Sequence, residues 1–147
     1  MTVGRALGVD LGSRRIGLAC SDPSGVLASP WRTLVRSGDA AADRAAIVAA
    51  AAEVGATVIV VGLPRSLSGA DGPAARAARA EAAALAAAAD PVPVVLHDER
   101  FTTHSAARDL RAAGVPGRDQ RARIDAAAAA VLLQAWLDRR PAGEPAR

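Results

Sequence analysis

Apolar residues along this chain come in two patterns. Short runs rich in Val, Leu and Ile occupy positions 6–9, 16–20, 26–34, 57–62 and 92–97, bounded by Gly, Pro, Ser or Asp. Runs of that length and setting predict strands. Thr57-Val58-Ile59-Val60-Val61-Gly62 is β-branched almost throughout, as expected of a strand buried on both faces. Pro30 assigns the third strand to an edge or a bend, and Pro93 is tolerable only near the start of the fifth.

Between and after these runs the pattern turns helical and rich in Ala. A helix is predicted over 39–54, with caps on offer at Ser37-Gly38-Asp39, apolar positions Ala42, Ala45, Ala46, Ala49, Ala50 and Val54, and Gly55 to close it. A second runs over 73–89, with Pro73 at its first position. A third is capped by Thr102 or Thr103 and stopped at Gly114, and a fourth spans about 121–138. In the last, Ala128, Leu132, Ala135 and Trp136 turn the face carrying Asp125 toward the core.

The order β-β-β-α-β-α-β-α-α describes an antiparallel meander followed by right-handed crossover units. It predicts an α/β fold: one five-stranded mixed sheet with helices on both faces. Residues 1–138 form one domain, and 139–147, with Pro141, Gly143 and Pro145, is expected to be a disordered tail.

Composition narrows the function. The hydrophobic share is 51%, yet much of it is Ala, and Trp31, Phe101 and Trp136 are the only aromatic residues. All 18 basic residues are Arg, with a net charge of +3. Guanidinium forks suit bidentate contacts to phosphate, which makes nucleic acid the expected partner. No apolar run approaches the roughly 18 residues of a membrane span, and the N-terminus lacks a signal-peptide core. The expectation is a cytoplasmic protein without a membrane partner. Cys20 is the single cysteine, which rules out an internal disulfide and leaves it as a small core residue.

In such a sheet, sites collect at the carboxyl ends of the parallel strands. Asp10 ends the first strand, Gly62-Leu63-Pro64-Arg65 the fourth, and Asp98-Glu99 the fifth, all on one edge. Gly8 and Gly12 keep side chains clear of Asp10. Of Asp98 and Glu99, only one can face the crevice. Asp125 is expected in the first turn of the last helix, where the dipole favours its ionised form. Each acid alone would pass as a cap or turn former. Three converging carboxylates repel one another unless a divalent cation lies between them. Oxygen ligation suits Mg²⁺ or Mn²⁺, and Cys20, His97 and His104 lack the spacing of a Zn²⁺ site. Both histidines are read as structural. The chemistry implied is metal-assisted phosphoryl transfer to water.

Four motifs sharpen this reading: Gly8-Val9-Asp10-Leu11-Gly12 with Arg15-Ile16-Gly17-Leu18-Ala19, Val61-Gly62-Leu63-Pro64 with Gly69, Asp98-Glu99-Arg100-Phe101-Thr102-Thr103, and Ile124-Asp125-Ala126-Ala127-Ala128-Ala129. Together they resemble the YqgF (RuvX) family of Holliday-junction-resolvase-like nucleases with a ribonuclease H fold, also described as pre-16S rRNA nucleases. The resemblance covers residues 7–137. It implies Asp10, Glu99 and Asp125 as metal-binding catalytic acids and a role in maturing small-subunit ribosomal RNA. Arg14, Arg15, Arg65, Arg100 and Arg123 lie beside the motifs and are expected to contact substrate phosphates, with Ser68 and Thr102 next to them. Two departures concern those contacts: Arg65-Ser66-Leu67-Ser68-Gly69 stands where relatives carry an Asn-Met-Asp-Gly type loop, and Arg123 replaces a common Lys.

A sugar-kinase or actin-like ATPase shares the Asp10-Leu11-Gly12-Ser13 type of loop but needs a second domain that this chain has no room for. A binding-only module is disfavoured by the presence of all three acids. Among nucleases, precursor rRNA is favoured over branched DNA. A junction needs two paired cuts and hence a firm two-fold dimer, and the chain offers few aromatic anchors for one. A monomer or weak homodimer is expected.

Overall fold

The computed structural model describes residues 4–65, 68–99 and 118–140. Its elements in chain order are β1 (Arg5–Leu11), β2 (Arg15–Ser21), β3 (Ala28–Val35), α1 (Ala40–Val54), β4 (Ala56–Leu63), α2 (Pro73–Ala89), β5 (Val94–Asp98) and α3 (Arg118–Arg139). The strands form one sheet in the order β3-β2-β1-β4-β5. β1–β2 and β2–β3 pair antiparallel, and β1–β4 and β4–β5 pair parallel. This is the expected mixed α/β sheet.

The central strands β1 and β4 bury side chains on both faces, which explains the β-branched run of β4. On one face Leu7, Val9, Ile59 and Val61 pack with Ile47, Ala50 and Ala51 of α1 and with Leu85 and Ala89 of α2. On the other, Ala6, Val58 and Val60 meet Ala129, Leu133 and Leu137 of α3. Among the described residues no helix is long and apolar enough to cross a membrane.

Local chemistry sets the boundaries. Asp39 caps α1 by accepting from the Ala41 and Ala42 N–H groups, and Gly55 ends it at φ 67°, where a Cβ would be strained. The third strand starts two residues later than expected. The Val26 and Leu27 N–H groups donate to Asp22 Oδ1 at 2.8 Å each, which holds them in a turn and leaves both side chains exposed. β3 is an edge strand whose pairing with β2 shifts register opposite Trp31, beside Pro30. The fifth strand also starts late, because Val92 N–H donates back to Ala89 O at 2.8 Å.

The α1 face differs from the expected one. Ile47, Ala50 and Ala51 are buried, while Ala42, Ala45, Ala46 and Ala49 are exposed. Alanines on every side carry no facing information, so Ile47 marks the true stripe. In α3, Ala128 and Leu132 are buried as expected, whereas Ala135 and Trp136 are half-buried. The helix predicted over 102–114 and residues 141–147 lie outside the described residues.

Candidate active site

Strand alternation sends Ala6, Gly8 and Asp10 to the face that α3 covers. The helix lies very close to it. A Cβ on Gly8 would stand 2.8 Å from Leu133 Cβ, and one on Gly17 would collide with the Asp125 carbonyl oxygen. Gly17 is the register partner of Asp10 across β1–β2. On the other side Val9 pairs with Val61, which sets Asp10 beside Gly62. A Cβ on Gly62 would lie 2.7 Å from Glu99 Cδ. Asp10 therefore stands between two glycines, one beneath the backbone of Asp125 and one beneath the carboxyl of Glu99.

Asp10 is 4% exposed and Glu99 8%, so both acids are withdrawn from bulk water. Asp10 lies within β1, one residue before its end, because the turn closes later, where Gly12 N–H donates to Arg15 O at 3.0 Å. Of the adjacent acids, Glu99 lies over Gly62, while Asp98 pairs with Arg65 at 3.4 Å. His97 is buried and is the register partner of Gly62, on the same row as Asp10. His104 lies outside the described residues.

Asp125 departs from expectation. Because α3 begins at Arg118, Asp125 sits about two turns into the helix, beyond the reach of the N-terminal dipole. Its charge is balanced by Arg15, whose Nε donates to Oδ2 at 2.6 Å, with the two side chains 19% and 14% exposed. Among the described residues no three His, Cys, Asp or Glu side chains are grouped to hold a metal ion. The donor chemistry nonetheless fits a hard cation: carboxylate oxygens on rigid elements, with Gly17 and Gly62 letting α3 and Glu99 come close beside Asp10.

The basic residues divide. Arg14 and Arg123 are exposed, and so is Ser68. Arg15 is committed to Asp125. Arg65 bonds Asp71 at 3.1 Å and Asp98 at 3.4 Å and donates to Gly69 O, which ties down the loop after β4. Arg100 and Thr102 lie outside the described residues. Arg36 joins these basic residues: its Nε donates to Gly12 O at 2.6 Å and its guanidinium meets Glu81 at 3.4 Å. With Arg14, Ser13 and Asp43 it lines a cleft of about 540 Å³ beside the β1–β2 turn. No local motif signals this residue, since its partner lies 24 positions away.

A family model described as "RuvX: Holliday junction resolvase" matches residues 4–139. The chain belongs to the RuvX family. A curated RuvX-like relative from Rhodococcus erythropolis, named "Putative pre-16S rRNA nuclease", is 50% identical over 140 residues, covering 93% of this chain and 79% of that protein. Proteins of the same name from Mycolicibacterium paratuberculosis and Mycobacterium tuberculosis H37Rv are 52% and 50% identical, covering 95% and 93% of this chain and 83% and 80% of theirs. Among solved structures, Thermus thermophilus RuvC in complex with a Holliday junction substrate aligns with a TM-score of 0.52 at 18% identity, covering 92% of this chain and 95% of that one. That likeness shows the RuvC-type, ribonuclease H-like fold. The RuvX enzyme class is that of a nuclease, a hydrolase of phosphodiester bonds.

Proposed function

We propose that this RuvX nuclease holds Mg²⁺ or Mn²⁺ with Asp10, Glu99 and Asp125 and trims the 5′ end of precursor 16S rRNA in the cytoplasm. The observation that carries the reading is Asp10 itself. It is a carboxylate buried in the central strand, with glycine on both neighbouring strands and two further acids above those glycines. Burying such a group is costly unless a partner or a cation compensates it. When bound, the cation would supply an activated water and neutralise charge developing on the leaving oxygen. The chain's own part is positioning. β1 fixes Asp10, the end of β5 brings in Glu99, and α3 brings in Asp125. Arg14 and Arg123, both exposed, are cations available to orient substrate phosphates, and Ser68, also exposed, lies on the loop after β4.

The names of the relatives that are 50% and 52% identical support RNA as the substrate. The large hydrophobic side chains exposed among the described residues, Val26, Leu27, Val35 and Val131, are aliphatic and include no aromatic anchor for a firm two-fold dimer. A monomer or weak homodimer making a single cut fits that surface. The alternative, a resolvase of branched DNA, is favoured by the description of the family. Two measurements separate them. Depletion in cells should leave 16S precursors with extended 5′ ends, and purified protein should not nick a four-way junction symmetrically. Symmetric nicking with normal 16S ends would reverse the assignment.

A further inference from the structure

The ion pair between Arg15 and Asp125 joins β2 to α3 at one of the three acids of the site. We propose that Arg15 is a positioning residue that competes with the bound cation for Asp125, so that metal loading requires this pair to open. The inference rests on reading Asp125 as a metal-binding acid.

The geometry confines any movement to the side chains. The Asp125 carbonyl is seated on Gly17 with no room for even a methyl group, which fixes the backbone of α3 at this point. Arg15 lies two residues before Gly17 on the same strand, so its stem leaves the same face of the sheet. Its Nε–H reaches Asp125 Oδ2 at 2.6 Å, the short distance of a charge-assisted hydrogen bond. Asp125 thus spends an oxygen on a guanidinium. Asp10 and Glu99 are buried more deeply, Asp10 in β1 beside Gly17 of β2 and Glu99 just after β5, over Gly62 of β4. With Asp125 held on Arg15 the three acids are not grouped to hold a metal ion, so the Asp125 carboxylate must turn from Arg15 to reach a cation held by the other two.

A double-mutant cycle read by Mn²⁺ titration with electron paramagnetic resonance tests this, using R15Q, D125N and the double variant in the full chain. R15Q is expected to bind Mn²⁺ about tenfold more tightly than wild type, the size of one charge-assisted contact. In the D125N background the same change should have little effect, because no pair remains to open. An equal gain in both backgrounds would mean that Arg15 acts only as a distant charge, and no gain would make the pair a plain structural tie; either overturns the proposal. R15K keeps the charge but lacks the Nε–H, and an intermediate gain from it carries the test should R15Q fail to fold. D125N binding Mn²⁺ as tightly as wild type would instead remove Asp125 from the metal site and defeat the underlying reading.

Discussion

Asp22, Asp43 and Asp71 show what a carboxylate looks like when its role is structural. All three sit below the ordinary carboxylate range, each for a visible reason. The Leu27 N–H is the main cause for Asp22, helped by Ser24; the Ser37 N–H and hydroxyl hold Asp43; the Arg79 side chain holds Asp71. A depressed folded pKa adds stability that is complete above the unfolded value of about 4 and is lost as pH falls toward the folded one. Melting temperature should therefore be flat near neutrality and drop below about pH 4, with a shallower drop in D22N. Melts of both proteins from pH 7 to 3 check this, and an identical acid slope would contradict it. These residues also mark what was legible one position at a time. Asp10 announced itself because glycines surround it in sequence. The Arg15–Asp125 pair, spanning 110 positions, could not be seen until the fold brought its ends together.

Among the elements, the strands were legible because Val and Ile runs have few alternatives. Facing in α1 was not, because Ala lines every side and only Ile47 distinguishes the buried stripe. The starts of β3 and β5 were misplaced for a related reason: turn hydrogen bonds at Asp22 and Ala89 override the apolar pattern. The seating of α3 on the sheet yields a paired prediction. In G17A the new methyl meets a main-chain carbonyl that cannot move aside, so about 1–3 kcal/mol of stability should be lost. In G62A the obstacle is the end of the Glu99 side chain, which can swing away. Stability should then change by less than about 1 kcal/mol, while a misplaced acid costs roughly 100-fold in single-turnover cleavage. Denaturant unfolding and cleavage rates read the two effects separately, and a G62A protein cutting at the wild-type rate would remove Glu99 from the reaction.

For the whole molecule, the net charge is +3 and every basic residue is Arg, while the site itself is built of acids. Nucleic-acid binding should weaken with salt, and R14A and R123A should each lower the slope of log affinity against log salt by about one. Unchanged slopes in both would place the binding groove elsewhere. The order of elements and the shared edge of the acids were readable because crossover handedness leaves few topologies. The tie between Asp125 and Arg15 was not, since its ends lie 110 positions apart and meet only when α3 is laid on β2. The most direct measurement is single-turnover cleavage of matched precursor RNA and branched DNA by wild type and D10N with Mn²⁺, alongside thermal melts. Wild type should cut and stop in excess chelator, while D10N stays folded, melts at or above the wild-type temperature as carboxylate repulsion is relieved, and does not cut. Cleavage by D10N at the wild-type rate, or undiminished cutting in chelator, would contradict a metal-dependent nuclease centred on Asp10.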